Sequence, residues 1–392
     1  GMSLASLAER ISRRAWVISY KTGQKIYGLV HRFQILTSFS SQAQKSKTEL
    51  REFGFESIDV LAFKDSKQFE NIKVLLLSPR NDHNDSRKFE NVFTFNTEKA
   101  IQDYGVPVRQ YWPSESSLQD SSRTSEIQAE IQSIIETESI SFIFADLNIG
   151  RKYESISREF LSKLKIQFEI KIIFLSFDWS SAKFRHWNEI ADLFTSNSPS
   201  RFDEISFVNQ RKLLALPSII YPESRYPTDV NKSLDFAFYG SQSRRRDFYL
   251  KKVNQLLQNT EIVFNIPSQN SEKLTEKRNL SIEGYINQLA KARMTFSNGF
   301  DSPFHSHITN RFIEAVLVKT ICLYEFCDDL AYFFPNHADY ISIKSRRDLH
   351  SRLKYFNKNR ELVRLITEQM RESYISNYSS EKVLTYIFSR QY

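Results

Sequence analysis

Residues 281–326 read SIEGYINQLAKARMTFSNGF and then DSPFHSHITNRFIEAVLVKTICLYEF. Apolar residues recur at helical spacing over 282–292, a short apolar run follows at 294–297, and a polar loop leads to a second helical pattern at 309–318. A buried-strand pattern over 319–326 closes the unit. Helix, strand, loop, helix, strand is the signature of parallel strands joined by crossover helices. At 100° per residue, Asn310, Arg311 and Glu314 fall in one sector of the second helix, whereas Ile308, Phe312 and Val316 form its apolar stripe. A helix start at the carboxyl end of a strand offers backbone N–H groups to an anion, and an acidic residue one turn in can accept from sugar hydroxyls. Arg311 adds a forked donor for phosphate.

The same alternation extends in both directions. Downstream come a short strand at 341–343 and helical patterns at 347–356, 361–374 and 381–388. Upstream, strands are expected at 234–240 and 260–266 with a helix at 245–257 between them. A break with two prolines, YPESRYPTDVNKS at 221–233, reads as a linker and hinge. Before it stand buried-strand candidates at 72–78 (IKVLLLS), 141–146 (SFIFAD), 171–177 (KIIFLSF), 193–196 and 218–221, with helices expected at 125–136 and 156–165. Residues 84–122 are polar, carry Pro107 and Pro113, and are read as long loops. The expected fold is therefore α/β, with two Rossmann-like doubly wound parallel sheets. The boundaries are a basic amphipathic extension at 1–70, a first sheet at 71–225, a second at 232–378, and a C-terminal helix at 379–392 that can return to the first domain.

Composition narrows the classes. A chain of 392 residues exceeds a usual single core, and 41% apolar with 14% aromatic residues argues against disorder. Nine glycines are few for a loop-rich all-β protein. A formal charge of +8 suits phosphate-bearing ligands, anionic membranes or nucleic acid. The arginines are scattered among helices rather than gathered on one face, so nucleic acid is not expected. Two cysteines, Cys322 and Cys327, make neither a disulfide framework nor a zinc set. No apolar run approaches the ~20 residues of a membrane span. Leu4, Leu7, Ile11, Ala15 and Ile18 form a helical stripe opposite Arg10, Arg13 and Arg14, beside Trp16 and Tyr20. That pattern fits either packing on the protein itself or a helix lying on anionic lipid. A cytoplasmic protein, peripheral at the inner membrane face, is the expectation.

Further candidates sit after strands. Tyr239-Gly240-Ser241-Gln242-Ser243 precedes three arginines. Gly240 permits a tight turn, the serines can cap the next helix, and Arg246 can reach a diphosphate. In Phe304-His305-Ser306-His307 no third metal ligand is near, so no metal is expected, and His307 is read as lining the anion pocket. Asp178 follows the strand at 171–177 and is the candidate general base, ahead of His83 and His186.

Taken together, Tyr239-Gly240-Ser241 with Arg246, the helix from Tyr285, Asn310-Arg311-Phe312-Ile313-Glu314-Ala315, Tyr324-Glu325-Phe326, Asp339-Tyr340-Ile341 and the helical tail resemble GT-B-fold glycosyltransferases of the family-1 type, in particular their spore-maturation-protein-like branch. The resemblance implies two domains facing across a cleft. It also implies a nucleoside diphosphate sugar donor held by the second domain, with Glu314 on the ribose and Gly240-Ser241 near the diphosphate. A hydroxyl acceptor such as a glycan, a place in envelope polysaccharide synthesis, and neither metal nor bound cofactor follow from it as well. The chain departs from the family pattern at Ser306, where related retaining enzymes carry a glutamate, and at Val318 or Lys319, where they carry a glycine. Those departures keep a noncatalytic nucleotide- or glycan-binding protein as the alternative.

Overall fold

In the computed structural model, the residues described are 58–80, 91–147, 149, 153–176, 180–240, 243–264, 281–302 and 305–392. The amphipathic pattern at 4–20, His83, Asn148, Asp178, Ser241 and Phe304 lie outside them. The chain forms two compact bodies, one spanning Glu52–Tyr226 with Ser373–Tyr392, the other Pro227–Glu372.

The first body holds a six-stranded sheet of β1 (Val74–Leu77), β2 (Val108–Tyr111), β3 (Phe142–Asp146), β4 (Lys171–Leu175), β5 (Leu193–Ser196) and β6 (Leu213–Ala215). Their order is β2-β1-β3-β4-β5-β6, every pairing parallel. All four residues of β1 and of β5 are buried, as a sheet covered on both faces requires. Helices Thr124–Glu138 and Arg158–Phe168 stand where periodicity put them.

Two expectations need correction. Residues 84–122 are not simply long loops, because they contain helix α1 (Val92–Tyr104) and strand β2. Helix α1 buries Thr94, Asn96 and Thr97 beside Phe93, Ala100 and Ile101, so its inward face reads as polar. Two of these polar side chains are paired: Thr94 donates to the Pro79 carbonyl, and Tyr226 donates to Asn96 Oδ1 at 2.8 Å. Residues 218–221 are buried but form no strand; the last strand is three residues long and ends at Ala215.

The interdomain break is partly fastened to this first body. Arg225 pairs with Asp103 at 2.7 Å, and Ser224 donates to the same carboxylate. Helix α9 (Ser380–Ser389) packs here too, burying Val383, Leu384, Ile387 and Phe388. Phe388 meets Phe142 edge-on at 5.0 Å, and the Ser380 hydroxyl donates to Glu223 at 2.6 Å. Each such fully buried apolar side chain contributes roughly 1.5–3 kcal/mol.

The second body holds five parallel strands, β7 (Leu234–Gly240), β8 (Thr260–Phe264), β9 (Ala292–Ser297), β12 (Ile321–Glu325) and β13 (Ser342–Ile343), in the order β13-β12-β9-β7-β8. The polar loop between β9 and the next helix carries an unexpected antiparallel pair, β10 (Phe300–Ser302) with β11 (His305–Ser306). The helix expected at 245–257 is broken in two, α4 (Arg244–Leu250) and a turn at Val253–Leu256, with Lys252 between them at φ 71°. Helices α5 (Ile282–Ala290), α6 (Asn310–Leu317), α7 (Arg346–Lys358) and α8 (Arg360–Tyr378) are among those of this body, α8 running on past Glu372. Among the described residues no helix is long and apolar enough to cross a membrane. Both sheets are thus parallel and α/β, with helices filling the C-terminal stretch.

Candidate functional site

In the five-stranded sheet β7 lies between β8 and β9, so the chain's direction of travel reverses between β7 and β9. At such a switch point the loops leaving two neighbouring strands diverge and open a crevice at their carboxyl ends. Gly240 ends β7, Ser297 ends β9, and α4 and α6 start beyond them. The sequence candidates of the second body, Gly240, Arg246, His307, Asn310, Arg311 and Glu314, all fall on these four elements or the loop entering α6.

The space beside Gly240 is filled by an arginine tip. A Cβ there would run into the Arg311 Nη2 atom and come within 3.2 Å of its Cζ. The guanidinium occupies that space: Nη2 donates to the Tyr239 carbonyl at 2.6 Å, and Cζ stands 4.6 Å from the Phe238 ring centroid. Arg246 reaches the same ring from α4, with Cζ at 5.8 Å, while its Nε donates to Asn298 Oδ1 at 3.1 Å. Ser243 caps α4 by accepting from the Arg246 N–H. Two guanidinium groups therefore gather on one phenylalanine at the switch point. Burial pulls Arg246 down to about 10, and the charge of Arg311 adds to the effect. Two like charges in a half-buried place raise the electrostatic potential there, and an anionic ligand relieves it.

Glu314 lies one turn along α6 from Arg311 and is 4% exposed. Its Oε2 accepts from the Tyr285 hydroxyl of α5 at 2.9 Å. Burial pushes its carboxyl up to about 7, against the opposing pull of the Tyr285 hydrogen bond and of Arg311. Charged, it is a strong acceptor that feels the Arg311 cation; neutral, it costs the fold less.

The start of α6 is fixed by Tyr324 of β12. Its buried hydroxyl donates to the His307 carbonyl at 2.6 Å and accepts from the Thr309 N–H at 3.0 Å. Gly299 must lack a side chain here, because a Cβ would strike the His307 carbonyl and the Tyr324 hydroxyl. His307 itself is 6% exposed, with its N–H bonded to the Gly299 carbonyl at 2.7 Å. Asn310 is the first residue of α6 and half-buried.

Of the three arginines that open α4, Arg245 has a structural task. It forms a buried two-pronged pair with Glu325, which also accepts from Tyr249 at 2.8 Å. The far end of α6 closes in a left-handed turn at Lys319, φ 55°, with the Thr320 N–H bonded to the Ala315 carbonyl at 2.8 Å. Lys232 and Arg371 donate to the Val318 and Leu317 carbonyls there, at 2.9 and 3.1 Å. The glycine that the resemblance places at Val318 or Lys319 thus corresponds by geometry to Lys319.

Sequence reasoning missed Phe238, Asn298 and the Tyr285–Glu314 bond. Phe238 was readable as the same-face neighbour of Gly240 two residues back along a strand. Tyr285 and Asn298 join the site only through the tertiary fold. Among the described residues no cluster of three His, Cys, Asp or Glu side chains stands close enough to hold a metal ion.

Residues 225–389 match the family model of Glycosyl transferase-like proteins. No curated protein sequence matches the chain. The N-terminal domain of trehalose-6-phosphate phosphatase from Candida albicans superposes with a TM-score of 0.50 at 10% identity, over 81% of this chain and 96% of that one, a likeness of fold. A glycosyltransferase from Rickettsia africae gives 0.49 at 10% identity, over 82% and 99%. The DNA-modifying enzyme β-glucosyltransferase gives 0.46 at 13%, over 81% and 98%.

Proposed function

We propose that the protein is a glycosyltransferase of GT-B type that moves a sugar from a nucleoside diphosphate sugar to a hydroxyl acceptor. The observation that supports it most is the meeting of Arg246, Arg311 and buried Glu314 at the switch point of a parallel sheet, inside the stretch that matches the Glycosyl transferase-like family. In this reading Glu314, ionised, accepts from the ribose hydroxyls, and Arg246 and Arg311 face the diphosphate. Gly240, Ser241, Asn310 and His307 shape the donor pocket around them. The bond between the anomeric carbon and the β-phosphate oxygen breaks. The departing diphosphate takes the electron pair and is neutralised by the two guanidinium groups, without a metal ion or a bound cofactor. The acceptor oxygen bonds to the anomeric carbon, and its proton passes to Asp178, assigned from its place in the sequence after β4. A glycan of envelope polysaccharide assembly is the proposed acceptor, met at the inner face of the membrane through the basic extension at 1–70.

The test is a thermal-shift series with UDP, GDP and ADP, followed by turnover of the matching nucleotide sugars. A ligand at 100 times its dissociation constant adds about 2.7 kcal/mol to the stability of the body that binds it. No shift with any nucleoside diphosphate refutes the donor site. A shift without sugar transfer or donor hydrolysis favours a noncatalytic binder.

A further inference from the structure

We propose that Tyr285 is a positioning residue that keeps the Glu314 carboxylate charged and aimed, and so sets the pH at which this site takes up a nucleotide ribose. The proposal rests on the donor reading of the site and goes beyond it by naming the residue that prepares the acceptor group. Tyr285 lies in the middle of α5, on a different element from every residue to which the donor has been assigned. Its ring is held edge-on against Tyr239 of β7, with centroids 6.0 Å apart, so the phenol cannot swing freely. Its hydroxyl meets Oε2 of Glu314 at 2.9 Å. One carboxylate oxygen is thereby committed to the protein, which restrains the group and, in this proposal, assigns Oε1 to the ligand.

The charged and titratable neighbours of Glu314 are few. Tyr285 comes from α5, and burial holds its phenol well above its ordinary range, so it stays a donor throughout the neutral and mildly alkaline range. Arg311, on the same helix, supplies positive charge. The Cys322 thiol of β12, which feels Arg311, is kept protonated by burial. Tyr239, beyond Tyr285 and beside Glu261, is likewise held neutral by burial. Among these groups only Tyr285 donates a hydrogen bond to the carboxylate. With Glu314 at about 7, a modest change in that bond alters the charged fraction at neutral pH.

The experiment compares wild type with Tyr285→Phe, which keeps the ring contact with Tyr239. Affinity for UDP, GDP or ADP, whichever binds wild type, is measured by calorimetry from pH 6 to pH 9. A hydrogen bond to a charged group corresponds to about one to two pH units of midpoint, so the variant's binding midpoint rises by that much. Affinity falls roughly tenfold at pH 7 and returns close to wild type at pH 9. The diphosphate's own titration is common to both proteins and cancels. Loss by the same factor at pH 7 and pH 9 would mean a packing defect and overturn the proposal, as would an unchanged midpoint.

A second arm needs no donor. Stability of both proteins is followed against pH by thermal unfolding. In wild type the decline caused by ionising buried Glu314 ends near its value of about 7, and in the variant it continues to higher pH. If wild type binds no nucleoside diphosphate, the donor reading fails, and this arm still decides whether Tyr285 governs Glu314. Coincident stability profiles would refute that control.

Discussion

Replacing Glu314 with glutamine should make the protein more stable and its donor site poorer at once. Burial moves this carboxyl from 4.5 to about 7. A folded-state value above the unfolded one means that the native protein holds the extra proton between those limits. Stability therefore falls as pH climbs from 4.5 to about 7 and is level beyond it. At about 1.4 kcal/mol per pH unit, the displacement costs the fold about 3 kcal/mol once the group is fully ionised. Glutamine has nearly the same shape, still offers an oxygen to the Tyr285 hydroxyl, and is neutral at every pH. At pH 8 Glu314→Gln should gain up to about 3 kcal/mol, and at roughly 2–4 °C per kcal/mol the transition moves up by several degrees. Near pH 4.5 the variant and wild type should melt together. Nucleoside diphosphate affinity should drop roughly 10- to 100-fold, because charge-assisted hydrogen bonds to the ribose are lost. Differential scanning calorimetry from pH 4.5 to pH 8, with and without nucleotide, reads both effects. A variant that is less stable at pH 8, or equally displaced at pH 4.5 and pH 8, would refute the reasoning that buried charge is what this position costs.

Gly240→Ala should force the Arg311 guanidinium off the Tyr239 carbonyl; a loss of about 1–3 kcal/mol in denaturant titration, with weakened nucleotide binding, is expected. Arg246→Gln removes a cation that burial and Arg311 already disfavour; stability should hold or rise while diphosphate affinity falls roughly 10- to 100-fold by calorimetry. Glu325→Gln strands buried Arg245 without its counter-ion and should cost about 3–5 kcal/mol in the unfolding midpoint. Lys319→Gly relieves a left-handed backbone at the end of α6 and should add about 1 kcal/mol of thermal stability without touching nucleotide affinity.

The strands were legible wherever both faces are buried. IKVLLLS and LDFAFYG are near-continuous apolar runs, and β7 appears at Leu234–Gly240 as expected. Helix α1 was not legible, because its inward side is built from Thr94, Asn96 and Thr97, and the partners of Thr94 and Asn96 come from Pro79, Tyr226 and the helix's own turn. Periodicity scores hydrophobicity and is blind to a polar face satisfied by distant residues. The break after Leu250 was missed for a related reason, since Lys252 carries a positive φ without the glycine that would have announced it. In the site, Arg311 and Glu314 could be paired from helical spacing alone. The arginine run could not be divided in advance: Arg245 turns inward to Glu325 and Arg246 to Asn298, choices made by which strand ends lie beside α4.

The missing methyl at Gly240 has an evolutionary corollary. A side chain on the strand's last residue would meet the tip of the arginine 71 positions later, so enlarging the first displaces the second. A homologue with alanine or serine at the strand terminus should carry something shorter than arginine in the helix, and one that keeps the arginine should keep the glycine. Under the proposed function, a lineage that changes one of the two positions would also move the cation that meets the diphosphate.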